Sequence, residues 1–233
     1  SDQRPPAPKN AGRDRATLYD AVQSLPDGTV CDAHPCDVAD AASVEATFAA
    51  IAKAGHRVSI LVNNAGAAKS ARLAATDDAL WREMIGVNLS GTFHCIRTAL
   101  PALLEAKGGR IVNVASTAGV IGYPYVAAYC AAKHGVVGLT RALALELAST
   151  PVTVNAVCPG YADTDIARGA VANIVARTGR SEAEARSALA ARNPQKRLVR
   201  PDEVASAVAW LCLPESASVN GQAIVVDGGE VAG

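Results

Sequence analysis

Ser116, Tyr129 and Lys133 are the residues whose types and spacing point most directly to chemistry. Tyr129 and Lys133 lie four apart in an Ala-rich stretch, so on a helix their side chains share one face. A phenol with a pKa of about 10 is a poor acid–base group near neutrality. An ammonium one turn away favours the phenolate and lowers that pKa. The pair is then matched to proton exchange between an alcohol and a ketone. Ser116 follows the β-branched run Arg110–Val114, at the carboxyl end of a strand, where ligands of open α/β sheets bind. Its hydroxyl there can hold a substrate oxygen beside Tyr129. Tyr-x-x-x-Lys alone also describes an ordinary helix surface; Ser116 thirteen residues upstream, with the motifs below, favours chemistry.

The elements that must position these residues alternate short apolar runs with longer helical stretches. Strand patterns are Val58–Val62, ended by Asn63-Asn64-Ala65-Gly66; Arg110–Val114, opened by Gly108-Gly109; Val152–Val157, ended by Pro159-Gly160; and Ala223–Val226, ended by Asp227-Gly228-Gly229. A weaker strand lies between Thr29 and Cys36. Helical patterns cover 14–25, 41–54 (Val44, Phe48 and Ile51 on one face), 77–106 after the cap candidate Thr76, 124–149 from Pro124, 181–192 and 201–212. Continuous apolar strands separated by helices predict a single doubly wound α/β domain over 11–233, its parallel sheet covered on both faces. Residues 1–10 read as a polar tail.

Composition narrows the function classes. The chain has 233 residues, with 22 basic and 22 acidic side chains, which argues against a nucleic-acid or polyanion binder. Its two Phe and five Tyr give no stacking platform for bases. No apolar run of about 18 residues predicts a membrane span, and the Pro-rich start does not resemble a signal peptide. Six cysteines without a Cys-x-x-Cys pair read as reduced thiols of a cytoplasmic protein, mostly in the core. His34, His56, His94 and His134 have no ligand spacing, so no metal site is expected. No Gly-x-Ser-x-Gly hydrolase turn occurs.

One part of a nucleotide-binding sheet is missing. Such sheets begin with a strand, a glycine-rich turn, a helix and a second strand. No Gly-x-x-x-Gly-x-Gly or Gly-x-Gly-x-x-Gly string exists in this sequence. A gap near Lys9–Ala11, or a true deletion, accounts for this. A missing central strand would leave rows of unpaired backbone groups.

From about Arg13 onward the sequence resembles the short-chain dehydrogenase/reductase family. The resemblance rests on six motifs in order: Cys36-Asp37-Val38, Asn63-Asn64-Ala65-Gly66, Asn88 in Gly86-Val87-Asn88-Leu89, Ser116, Tyr129 with Lys133, and Pro159-Gly160 followed by Thr164. It implies a Rossmann-like sheet and an NAD(P)-dependent oxidoreductase that interconverts a ketone and a secondary alcohol. It also implies a catalytic tetrad. Tyr129 exchanges the proton, Lys133 tunes Tyr129 and binds the nicotinamide ribose, and Ser116 orients the substrate oxygen. Asn88 holds a water that relays protons from Lys133; taken alone, Asn88 is better read as a helix residue satisfied by backbone, and the rest of the set reverses that. The cofactor residues implied are Asp37, Val38, Asn63, Ala65, Gly66, Tyr129, Lys133, Pro159, Gly160 and Thr164. Arg13, at the end of the presumed second strand, suits the 2′-phosphate of NADP, while Asp14 beside it keeps NAD open.

The resemblance places a substrate lid at about 164–200. Residues 166–200 hold seven Arg and Lys196 against Glu182 and Glu184, which suits an anionic handle such as a coenzyme A or carrier-protein thioester; a solvated helix face is the alternative. The strings Tyr129–Gly138 and Gly221–Gly229 resemble 3-oxoacyl and 3-hydroxyacyl thioester reductases and aromatic-polyketide ketoreductases. Ala67-Ala68-Lys69-Ser70 stands where those ketoreductases often carry Pro-Gly-Gly. A 3-oxoacyl thioester is therefore expected, with a polyketide or other small alcohol as alternative. The resemblance further implies a homotetramer. A non-catalytic dinucleotide sensor on the same fold is the competing class, and the intact tetrad argues against it.

Overall fold

The computed structural model describes residues 9–12 and 15–232. All its strand pairings are parallel, in two groups. β1 (Lys9–Gly12) pairs with β2 (Asp32–Pro35), Ala11 opposite His34. β3 (Ile60–Asn63), β4 (Arg110–Val114), β5 (Thr153–Pro159) and β6 (Ala223–Val226) form the second sheet in that order, with Val112 between Val62 and Asn155.

Helices fill the crossovers: α1 (Arg15–Gln23), α2 (Ala41–Lys53), α3 (Asp78–Ile85), α4 (Gly91–Glu105), α5 (Ala127–Glu146), α6 (Asp165–Thr178), α7 (Glu182–Ala190) and α8 (Pro201–Cys212). Side-chain alternation along β4 assigns the two faces. Ile111 packs with Ile96, Leu103 and Ala144 of α4 and α5. Val112 packs with Leu211 of α8. Both faces are covered, so the apolar runs of β4 and β5 are buried along their length. α6 and α7 close a separate small cluster, Val171, Ala185, Leu189 and Leu198, beside the sheet rather than on it. Ser181 starts α7 with a capping box to Glu184.

Several boundaries differ from the sequence expectation. β1 begins at Lys9, inside the presumed tail. No described strand lies between the β1–β2 pair and β3. Residues near both groups still share one apolar cluster, in which Cys36, Val44 and Cys95 meet Phe48 and Leu61. The expected 77–106 helix is α3 and α4 joined by one wide turn, Gly86–Ser90. Its cap is Asp77, whose carboxylate accepts from the Leu80 N–H, and not Thr76. α5 starts at Ala127 rather than Pro124 because Tyr125 takes a positive φ of 69°. α6 was not expected at all. Of the six cysteines, all free, Cys36, Cys95 and Cys158 are buried and the others half-buried.

Candidate active site

The carboxyl ends of β3, β4 and β5 and one face of α5 bring the expected residues together. Ser116 lies two residues past β4 in extended backbone, and its Oγ accepts from the Ala118 N–H at 3.1 Å. The Ser116 side chain also lies close enough to Tyr129 to favour its phenolate. Lys133 is buried one turn on, with Nζ 5.7 Å from the Tyr129 ring centroid, and it donates to the Val114 carbonyl at 2.8 Å.

The charge balance of this pair differs from the expectation. Burial raises the Tyr129 pKa above that of a free phenol, and the Ser116 side chain only partly opposes it. Lys133 is not among the groups that lower it. Burial instead lowers Lys133 itself to about 8. The i, i+4 spacing delivered a common face; desolvation of both groups outweighs their mutual influence. Cys158, which the sequence did not single out, is buried near both groups, and burial keeps its thiol pKa up.

Asn88 is fully buried in the wide turn between α3 and α4. Its Nδ2 donates to the carbonyls of Ala67 and Met84, both at 2.9 Å, and its Oδ1 accepts from the Ala67 N–H at 3.2 Å. The side chain thus pins the loop after β3. That loop reaches Lys133 through Gly66, where an added Cβ would stand 3.0 Å from Asn88 Oδ1 and 3.6 Å from Lys133 Nζ. Asn63 donates to Asn113 Oδ1 at 2.8 Å, and Asn113 continues the chain to Thr140 at 2.9 Å, tying β3 to β4 and α5. Asn64, Ala65 and Gly66 are exposed on the cleft side of that network. Pro159 and Gly160 end β5, the Gly160 N–H bonding the Val226 carbonyl at 3.0 Å. Thr164 precedes α6 without capping it, its hydroxyl turned to the Ala162 carbonyl. Asp37 and Val38 lie apart at the end of β2, where Asp37 Oδ1 accepts from the Ala39 N–H and the Val38 carbonyl faces His94 Nδ1. Arg13 lies outside the described residues.

The lid is not the basic surface expected from its own residues. Arg186 pairs with Asp163, Arg168 with Asp165, Arg192 with Glu230, Arg197 with Glu203, and Arg200 with Asp202 and Glu203. Asp163, Asp165, Asp202 and Glu203 lie just outside the window that was counted, and Glu230 lies further along the chain. Two cavities of about 390 and 380 Å³ flank the lid, and neither is lined by Ser116 or Tyr129. Tyr123, whose hydroxyl lies 2.8 Å from that of Thr117 beside Ser116, and Tyr161 meet edge to face with centroids 6.2 Å apart. Sequence spacing missed both tyrosines; their only signal was that four of the five tyrosines fall between positions 123 and 161.

Gly66 lets the exposed Asn64–Gly66 loop pass close to Asn88 and Lys133, whose ammonium is the kind of donor a ribose hydroxyl needs. The nicotinamide end of a dinucleotide therefore fits the residues present. No glycine-rich turn for the pyrophosphate exists in the sequence.

This fold, with a serine, tyrosine and lysine at the strand ends, defines an NAD(P)-dependent oxidoreductase class, and the chain belongs to the short-chain dehydrogenase/reductase family. A family model described as enoyl-(acyl carrier protein) reductase matches residues 11–230. A Streptomyces coelicolor protein named as a ketoacyl reductase is 43% identical over 92% of this chain and 82% of its own length. The 3-oxoacyl-[acyl-carrier-protein] reductase FabG of Vibrio cholerae is 37% identical over 83% of this chain and 75% of its own. A crystal structure of an actinorhodin polyketide ketoreductase variant with NADPH superposes with a TM-score of 0.91 at 40% identity, covering 95% of this chain and 86% of that one.

Proposed function

We propose that the protein reduces the ketone of a 3-oxoacyl or polyketide chain to a secondary alcohol with NADPH. The observation that carries the reading is the Ser116–Tyr129–Lys133 cluster at the ends of the buried strands β4 and β5. Ser116 holds the ketone oxygen, and Tyr129 gives that oxygen its proton. Burial keeps the Tyr129 phenol protonated near neutrality, which suits a donor and therefore the reductive direction. Lys133, poised near 8, replaces the proton and holds the ribose. Asn88 fixes the Ala67 loop against Lys133 through its side-chain amide. A bound nicotinamide supplies the hydride. Asn63, Ala65, Gly66, Pro159, Gly160 and Thr164 border its site, and Asp37 and Val38 the adenine end.

The neutralised lid removes the argument for an anionic handle, and the polyketide ketoreductases among the relatives move the alternative substrate up to equal rank with the thioester. We further place the protein in the cytoplasm, an assignment supported by six free cysteines. A homotetramer is supported by apolar side chains left exposed on α4 and α5, namely Phe93, Leu104 and Leu145. Residues 11–233 act as one domain with the lid at 164–200. The test is NADPH consumption with acetoacetyl-CoA and with a bicyclic ketone. Turnover that Tyr129→Phe abolishes supports the reading; equal rates in variant and wild type overturn the mechanism. No turnover with either ketone, despite NADPH binding, would favour the non-catalytic sensor.

A further inference from the structure

Glu230 is the most buried carboxylate among the described ion pairs, its side chain 7% exposed. The carboxylates of the other lid pairs are 25–93% exposed. A carboxylate taken this far out of water must be compensated by hydrogen bonds or opposite charge. Its Oε1 lies 2.9 Å from the Tyr123 hydroxyl and 3.0 Å from Arg192 Nε. The Tyr123 oxygen also lies 2.8 Å from the hydroxyl of buried Thr117. A phenol has one proton and a carboxylate only accepts. Tyr123 therefore donates to Glu230, and Thr117 donates to the Tyr123 oxygen. The Arg192 guanidinium lies over the Tyr123 ring, 4.6 Å from its centroid, and Tyr161 meets the same ring edge-on.

Four chain segments are joined by this one carboxylate. Thr117 directly follows Ser116, Tyr123 belongs to the loop leading to α5, Arg192 closes the lid after α7, and Glu230 comes from the C-terminal tail. The tail can cross the end of β5 because position 160 is glycine: an added Cβ would stand 3.0 Å from the Asp227 Cβ and 3.4 Å from Glu230 Oε2. Tyr161, next in the chain, meets the Tyr123 ring, and the Tyr123 hydroxyl meets Thr117, the residue after Ser116.

We propose that Glu230 is a positioning residue: through Tyr123 and Arg192 it locks the tyrosine wall and the end of the lid against the Ser116 loop, and so sets the shape of the ketone site. It touches neither substrate nor cofactor. Its kinetic consequence rests on the ketone-reductase reading above; its effect on the lid does not.

The experiment compares wild type, Glu230→Ala, Glu230→Gln and Tyr123→Phe by steady-state kinetics and by hydrogen exchange over the lid. Glu230→Ala is expected to raise the KM for the ketone about tenfold or more, with kcat and the KM for NADPH changed less than about threefold. Exchange across 186–200 is expected to speed up about tenfold in the same variant. Glu230→Gln keeps an acceptor for Tyr123 and should restore about half of each effect on a logarithmic scale. Tyr123→Phe should loosen the lid less than Glu230→Ala, because Arg192 keeps its carboxylate. Lid exchange unchanged in Glu230→Ala overturns the proposal, as does a fall in kcat with ketone KM unchanged. If no ketone is turned over by the wild type, the function proposed above fails, and the exchange comparison alone decides this one. If Glu230→Ala does not fold, Glu230→Gln carries the test, with the same two results against the proposal.

Discussion

β3 and β4 have nearly the same sequence character, Ile-Leu-Val-Asn beside Arg-Ile-Val-Asn-Val, yet their surroundings differ. β4 has a strand on each side and helices over both faces, and it is buried from Arg110 to Asn113. Among the described residues β3 is paired with β4 alone, and Ile60 and Val62 are 46% and 42% exposed. An apolar β-branched run specifies a strand; its neighbours decide whether that strand is core. The proton-transfer half of the molecule, built on β4, β5 and α5, is therefore complete. The other half, where β1–β2 and β3 are not joined among the described residues, has an open face.

The largest expected effect tests the complete half. Tyr129→Phe removes one hydroxyl from a finished site and should lower ketone turnover about a thousandfold. Its thermal midpoint should stay within about 3 °C, as expected for an ordinary local change. A matching collapse of stability would show that the site is less preformed than β4 and β5 suggest. Next in size, Ile111→Ala opens a cavity in a fully buried position shared by α4 and α5 and should cost about 2–4 kcal/mol in a denaturant titration.

The same contrast explains what was legible in the sequence. β4, β6 and α8 could be bounded to the residue because Gly108-Gly109, Asp227-Gly228 and Pro201 punctuate them. α6 was invisible because its apolar residues face α7 rather than the sheet, and Gly169 interrupts their pattern. Ser116, Asn88, Tyr129 and Lys133 were found through spacing on single elements and the family motifs. Tyr161, Cys158 and Glu230 were not, because tertiary approach of separate segments brings them in and no spacing records it. The lid charge was misjudged for a related reason: Asp163 and Glu203 lie just beyond the counted stretch, and Glu230 lies further along the chain but close in space.

Lys133 supplies a test through pH. Its pKa falls from 10.5 to about 8 on folding, because burial penalises the ammonium. Below pH 8 it is charged in both states, and the folded state carries the full penalty. Between about 8 and 10.5 the unfolded chain binds more protons, so stability rises with pH. Lys133→Met removes this group. The stability of wild type relative to the variant should therefore improve by roughly 1–3 kcal/mol from pH 7 to pH 10. A difference that is flat across that range would mean Lys133 keeps an ordinary pKa and is reached by water.

The smallest expected effect is the sharpest on the comparison itself. Val62 sits in β3 directly beside Val112 of β4, so the two valines share a register and differ in cover. Val112→Ala loses methyl groups that pack against Leu211 and should cost about 1–2.5 kcal/mol. Val62→Ala exchanges a side chain already facing water and should cost under about 0.5 kcal/mol. Both are read from the same denaturant midpoint, so errors of extrapolation largely cancel in the ratio. A ratio near one would break the comparison. It would mean that Val62 is as well packed in solution as Val112, and that something other than the described residues covers the open face of β3. The pyrophosphate end of the cofactor site should then be sought in that cover, because a strand and helix seated there would bring a helix N-terminus to the open side of the Asn64–Gly66 loop.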